Sequence, residues 1–395
     1  MKTLIKNAAV VLCDGVRTSD VLIEGSKIAD INYNGEITAD MEIINADGNY
    51  LLAGFVDLHV HGGGGADFMD ATTDAFETAV KAHLKHGTTL LYPTAVAASY
   101  DDLCDFLNAY NQFKATSEYA ALTDGVHLEG PYFFGATQLS RGAQKADVLR
   151  LPDMDEVEKL LKVANGSIAR WDASPELEGA CEFAEKMRDN GIVCAVAHTD
   201  ATAPEALKGF QHGFSHVTHF YNATSLHRKR EQIVYAGVVE ATYLDDNVTV
   251  ELIGDGCHIP KETFLLTLKI KGKDKLSVIT DGMRIAGTNM QSGKLGSLKN
   301  GSEVIVDSGV AKLSDKVSFA GSIATMDRCL RVLCNDFGID LPTASCMLSL
   351  APAKRMGADK AKGSIDVGKD ADLVIVDKYL NVKQVIFGGK IIGEN

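Results

Sequence analysis

The chain has 395 residues, 46% of them hydrophobic and 23% charged, which is a globular balance with room for a large barrel and an accessory domain. It carries 53 acidic against 39 basic residues, a net charge of −14 that disfavours nucleic acid and anionic membrane as general partners. An anionic substrate would be repelled at long range unless local basic groups overcome that field.

In chain order, the opening MKTLIKNAAVVLCDG does not read as a secretory signal. Lys6 and Asn7 break the apolar run, and charge follows without a small-residue cleavage site. LIKNAAVVL, DVLIEGSKIADI and MEIINADGNYLLAG are short β-like runs separated by turn residues. The other end is similar, with GSIDVGKDADLVIVD and then VKQVIFGGKII. Neither end has enough residues to bury a sheet face alone. The expectation is one small β domain built from residues 1–53 and 358–395, with two independent β appendages as the alternative.

The middle alternates. Strand-like runs are LLAGFVDLHVH, TTLLYPTAV, DGVHLEG, IARWDAS, IVCAVAHTD, FSHVTHFYNA, VTVELIGDGCH and KLSVITDGM. Between and after them lie helical patterns: DAFETAVKAHLKHG, YDDLCDFLNAYNQF, DEVEKLLKVANG, EGACEFAEKMRDNG, APEALKGFQHG, IVYAGVVEATYL, KETFLLTLKI and TMDRCLRVLCNDFG. Several end in Gly, the favoured helix C-cap. The alternation predicts an α/β (β/α)8 TIM barrel over residues 54–357, with a doubly wound open sheet as the alternative. Residues 285–317, rich in Gly, Asn and Ser, predict a β-hairpin inserted after the eighth strand. The eight cysteines include no C-x-x-C pair and fit buried thiols in a reducing compartment. No stretch approaches the roughly 18 uninterrupted apolar residues of a membrane span, so the expected location is the cytoplasm.

A barrel of this kind carries its active site at the C-terminal strand ends. The first strand brings His59 and His61 there, and residues two apart on a strand face the same side. The third brings Glu129, the fifth His198, the sixth His219 and the eighth Asp281. Imidazoles and carboxylates converging from several strands are what a divalent zinc, iron or manganese ion requires. Each residue taken alone has a plainer reading: a capping carboxylate, a hydrogen-bonded core histidine, a turn aspartate before Gly282. Their joint placement at one rim carries the weight. Glycines 62–65 let the backbone bend away from the ligands. His83 and His86 fall in a helical pattern and are expected to be solvated, and His212 lies near a helix end. His127 and His216 read as core or supporting groups, His227 is undecided, and His258 lies near the barrel mouth.

The stretches GFVDLHVHGGGGADFMD, HLEGPY, AHTDA, THFYNA, ELIGDGCH, VITDGM, FAGSIATM and SLAPAKRMG, in this order, resemble the N-acetylglucosamine-6-phosphate deacetylase family of the amidohydrolase superfamily. The resemblance implies a split β-sandwich at the termini and a divalent metal, zinc foremost with iron or manganese as alternatives. Glu129, His198 and His219 would hold the main ion. His59 and His61 match positions that hold or vacate a second ion, so one or two ions per subunit are implied. Asp281 would act as general base and then general acid towards a metal-activated water. Asn222 and Ala223 would offer backbone N–H groups to a substrate phosphate, with Arg230 and His258 as its basic partners. One basic group from a partner subunit would make a homodimer. Phe319, Ala320 and Gly321 match the loop lining the substrate. One departure stands out: the family's His within a Gly-Ala-His run is replaced, so that Ala143 is followed by Gln144. A Gln donates a hydrogen bond but carries no positive charge. The implied reaction is deacetylation of N-acetylglucosamine 6-phosphate. The galactosamine epimer, a different amidohydrolase acting on a cyclic amide or nucleobase, and a non-catalytic scaffold are the alternatives.

Overall fold

Eight short, almost wholly buried runs form one parallel sheet: β1 (Phe55–Val60), β2 (Thr88–Ala95), β3 (Val126–Glu129), β4 (Ile168–Ala173), β5 (Val193–Val196), β6 (Phe214–Val217), β7 (Thr249–Ile253) and β8 (Leu276–Ile279). The computed structural model describes residues 2–314 and 318–393, apart from the side chain of Arg230. Strand order follows the chain from β1 to β8. The two ends meet: the His61 N–H donates to Gly282 O at 2.8 Å, and the Asp281 N–H to His59 O at 3.0 Å. The sheet is therefore a closed barrel, not the open doubly wound alternative. Both faces of each strand are covered, which is why these runs read as continuous rather than alternating apolar stretches.

Helices α1 (Thr73–Lys85), α2 (Tyr100–Thr116), α3 (Met154–Ala164), α4 (Ala180–Asp189), α5 (Ala203–His212), α6 (Val238–Leu244), α7 (Lys261–Lys271) and α8 (Met326–Arg331) follow the strands in turn. Side-chain caps start several of them. Thr72 accepts from the Ala75 N–H, Ser99 from Asp102 and Asp153 from Asp155. One helix is shorter than its pattern predicted. Residues 233–235 do not join α6 but form the strand Ile233–Tyr235, paired with Arg228–Arg230. β-branched and aromatic residues favour the strand. Gly237 then caps α6, its N–H donating to Glu240 Oε2 at 2.8 Å.

The insertion after β8 is also different from expectation. It is a three-stranded meander, Ser292–Leu295, Ser302–Asp307 and Val310–Leu313, rather than a hairpin, and residues 315–317 lie outside the described residues. Its own small core contains Met283, Ile285, Leu295 and Val304. Arg284 ties it to the loop after β1. The guanidinium meets both Asp70 carboxylate oxygens at 2.8 and 2.9 Å and the Gly65 and Gly296 carbonyls at 3.0 Å each.

The two ends of the chain form a single eight-stranded sheet. Its long strand Lys2–Leu12 pairs on one side with Gly15–Glu24, with a bulge between Ile5 and Ala8, and on the other first with Met41–Asn45 and then with Tyr50–Ala53. Tyr50–Ala53 pairs in turn with Leu373–Val376 from the other end. Ile5, Val21, Ile23, Leu51, Leu373 and Ile386 share one core, separate from the barrel's. Neither end makes this core alone, so the two are not independent appendages. Among the described residues no helix is long and apolar enough to cross a membrane.

Candidate metal centre

His198, His219 and Asp281 each lie two residues beyond the end of their strand, and each is in the left-handed region, with φ of 48°, 26° and 48°. Such backbone costs on the order of 1–3 kcal/mol for a non-glycine residue. It turns each side chain inward over the barrel axis. His59, at the end of β1, and His61, just beyond it, converge as their spacing predicted, with Nε2 atoms 3.2 Å apart. Glu129 ends β3 in the middle of the cluster. Its Oε1 is 2.9 Å from His198 Nε2 and 3.0 Å from His219 Nε2, and its Oε2 is 3.5 Å from His61 Nε2. Asp281 Oδ1 lies 3.2 Å from His61 Nε2 and 3.4 Å from His59 Nε2.

All four imidazoles are held from behind through Nδ1. His198 meets Ser140 O at 2.9 Å, His219 meets Asn222 O at 3.0 Å, His61 meets Thr94 O at 3.3 Å and His59 meets Glu251 Oε1 at 2.9 Å. Carbonyl and carboxylate oxygens only accept, so each Nδ1 carries a proton, and Nε2 is the nitrogen left to give its lone pair to an ion. That is the tautomer metal-ligating histidines adopt. Two donor sets result, His59–His61–Glu129 and Glu129–His198–His219, each with donor atoms within 4.8 Å of one another. The Nε2 atoms of His59 and His61 face each other at 3.2 Å beside the Glu129 and Asp281 carboxylates. Imidazole nitrogens gathered about a shared carboxylate are the donors a divalent ion takes, so the residues present fit one at either set.

Electrostatics point the same way. Burial alone would raise Glu129, but hydrogen bonds from His198 and His219 hold it well below the usual carboxylate range. Asp281 is likewise lowered against its burial, by His59 and His61. Burial would push the His61 imidazole down, yet its hydrogen bond to Asp281 and the charge of Glu129 raise it to about 9. His219 rises to about 9 against burial through its hydrogen bond to Glu129. The centre attracts positive charge.

Beneath it lies a layer in which the sequence reading expected His127 and His216 but missed the charged members Arg170, Asp172 and Glu251. Arg170 on β4 is fully buried and spans two carboxylates, Asp172 at 2.9 Å and Glu251 at 2.5 Å. Asp172 also accepts from Thr218 Oγ1 at 2.6 Å and lies 2.9 Å from His127 Nε2. His127 and His216 thus serve in the layer beneath the ligands, and burial pushes them down to about 3 and about 4. The signal was present in IARWDAS and VTVELIG, where charged residues interrupt otherwise buried strands. His83 corrects another expectation. It is buried, not solvated, and its Nε2 is 2.9 Å from Gly62 O. It supports the glycine loop, where a Cβ on Gly62 would stand 2.2 Å from Ala66 O. His86 lies 3.1 Å from Asp327 and His227 lies 3.1 Å from Glu240.

A cavity of about 420 Å³ opens over the cluster. His61, Glu129, His198, His219 and Asp281 form its floor, and Ala143, Gln144, Asn222, Ala223, His258, Phe319 and Gly321 line its walls. Gln144 is oriented by two hydrogen bonds. Its Oε1 accepts from the Ala97 N–H at 3.0 Å, and its Nε2 donates to Glu129 Oε2 at 2.8 Å. His258 Nδ1 is 2.8 Å from Asp255 Oδ2, and its ring meets Phe319 edge-on at 4.7 Å. Gly321 has φ 66°, and a Cβ there would approach Asp281 O to 2.8 Å. Two residues are placed otherwise than expected. The Asn222 N–H already donates to His219 O at 2.8 Å, so it is not free for an anion. The Ala320 side chain is buried in the core of the insertion rather than lining the cavity. Arg230 belongs to the Arg228–Arg230 strand, and its side chain lies outside the description. Leu139, Ile253, Leu295 and Ser318 line the cavity without a sequence signal, since shape and not chemistry places them there.

The model of the Amidohydrolase family matches residues 50–392. The chain is 32% identical over 391 residues to N-acetylglucosamine-6-phosphate deacetylase of Bacillus subtilis (strain 168), covering 98% of this chain and 93% of that one. It is 29% identical over 352 residues to N-acetylgalactosamine-6-phosphate deacetylase of Escherichia coli O157:H7, covering 89% and 90%. Among solved structures it is similar to a mutant N-acetyl-D-glucosamine-6-phosphate deacetylase from Mycobacterium smegmatis in complex with N-acetyl-D-glucosamine-6-phosphate. The TM-score is 0.89 and the identity 29%, over 99% of each chain.

Proposed function

The chain belongs to the amidohydrolase family, and on that premise we propose that it hydrolyses the acetamide of N-acetylglucosamine 6-phosphate to acetate and glucosamine 6-phosphate. The observation that carries this reading is one cavity holding both the Glu129-centred donor sets and Asp281. Glu129, His198 and His219 would hold the principal ion, with zinc foremost on the nitrogen-rich donor set, and His59 and His61 a second. When bound, such an ion lowers the pKa of water and polarises the amide carbonyl.

The protein's own groups do the rest. Asp281 is kept ionised by the imidazoles beside it and faces the cavity, so it accepts a proton from the attacking water at Oδ1. It then returns that proton to the departing amine nitrogen, without which the C–N bond breaks poorly. Gln144 spends one amide N–H on Glu129 and keeps the second for the substrate carbonyl. His258, the Ala223 N–H and Arg230 supply the phosphate site on an otherwise acidic protein, with Asn222 contributing through its side chain. We further propose a cytoplasmic homodimer, a catalytic barrel at 54–357 and an accessory domain from 1–53 and 358–395.

Acetate release from N-acetylglucosamine 6-phosphate by the metal-reconstituted protein tests the reading, beside the galactosamine epimer and the unphosphorylated sugar. Fast release from the first alone is expected. A second reading, preference for the galactosamine epimer, draws on the relative of that specificity and on Gln144. Faster release from the epimer would replace the first reading. Release from neither, with metal bound, would overturn both.

A further inference from the structure

One buried group at the centre takes no part in this reaction. Glu251 sits in the middle of β7, fully buried, directly beneath the ligands. Its Oε1 lies 2.9 Å from His59 Nδ1 and accepts the His219 backbone N–H at 3.2 Å. Its Oε2 lies 3.2 Å from His216 Nε2. Arg170 grips both oxygens, Nη1 on Oε2 at 2.5 Å and Nη2 on Oε1 at 3.0 Å, and is itself fixed on its other side by Asp172.

We infer that Glu251, held by Arg170, is a positioning residue that fixes His59 as a ligand and thereby decides whether the second metal position fills; the inference rests on the metal-dependent reading above. Hydrogen-bond donors face Glu251 from both sides: two N–H groups above, a guanidinium and an imidazole below. The residue there must accept on both oxygens, which a carboxylate does and an amide does not. A glutamine would set its NH2 against an Arg170 N–H whichever way it sits, and towards either His216 or His59. The second choice forces His59 into the opposite tautomer, with N–H instead of a lone pair facing the ligand cluster.

The effect is selective by geometry. His198 and His219 take their Nδ1 acceptors from backbone carbonyls, and Glu251 touches His219 only through its backbone N–H. Loss of the carboxylate therefore strikes the His59–His61–Glu129 set and leaves the Glu129–His198–His219 set in place.

The test is calorimetric titration of zinc into metal-stripped wild type, Glu251→Gln, His59→Ala and the double variant, with metal content measured after gel filtration. Wild type should bind two ions. Each single variant should keep one with wild-type affinity and lose at least tenfold in affinity for the other, the range typical of groups that orient ligands. If Glu251 acts through His59, the double variant is no worse than His59→Ala. Glu251→Gln binding two ions with wild-type affinities would overturn the inference. So would a wild type that binds a single ion, and if that protein still releases acetate the deacetylase reading stands. The expected ion pattern without acetate release would instead keep the inference and sink the deacetylase reading. Should Glu251→Gln fail to fold, nitrogen NMR of labelled histidines in stripped wild type decides. An Nδ1–H tautomer at His59 supports the inference, and an Nε2–H tautomer refutes it.

Discussion

The two donor sets that share Glu129 are anchored by different physics. His198 and His219 rest on the backbone carbonyls of Ser140 and Asn222, and their left-handed backbone aims them inward. Any side chain at residue 140 or 222 still offers that carbonyl. His59 rests instead on the carboxylate of Glu251, which depends on Arg170, which depends on Asp172. A backbone anchor survives most substitutions. A buried ionic chain fails when one member is lost, because the others are then buried without partners. The His198–His219 half is therefore built for tolerance and the His59 half for conditional occupancy.

Substitutions break or sharpen that contrast. The largest effect should come from Glu129→Gln, since this residue serves both halves. Metal content should fall towards zero and acetate release below detection, and retention of one tightly held ion would show that the halves are independent of Glu129. Asp281→Asn should follow, with kcat down by about 10²–10⁴-fold, as expected for loss of a general acid–base group. Its metal content should stay near wild type, because Asp281 contacts only the His59–His61 side and is not a member of either three-residue donor set. Arg170→Met leaves Asp172 and Glu251 buried without their cation. It should cost about 3–5 kcal/mol in denaturant unfolding, and a cost under about 1 kcal/mol would mean that the buried chain is not the anchor described. The smallest effect belongs to the tolerant half. Ser140→Ala removes a hydroxyl that bonds Phe134 O and Thr137 O but keeps the carbonyl that orients His198. Affinity for the first ion should change less than threefold in the same titration, and a loss above tenfold would place the anchor in the side chain.

The chemistry of the centre was legible where it sits in the local pattern. His59 and His61 lie two residues apart on one strand, and Glu129, His198, His219 and Asp281 stand at the ends of apolar runs. A barrel sends such ends to one rim. Gly237 lay inside the run IVYAGVVEATYL, which read as one helix, so residues 233–235 were counted with it. His83 read as solvated because its helix is amphipathic, whereas the glycine loop that covers it comes from another element.

Sequence alone determined the βα alternation, the count of barrel strands, the parallel arrangement and which residues stand at the rim. Those follow from period and spacing, which are local properties. Tertiary structure alone decided what holds the rim residues. Closure leaves only β8 between β7 and β1, so Glu251 meets His59 from 192 residues away, and Arg170 meets Glu251 across 81. The same closure commits the Asn222 N–H to His219 and turns the two chain ends into one sheet. Pairings between distant residues carry no periodic signature. They exist only once burial has removed water from around charged groups and left them only one another to satisfy.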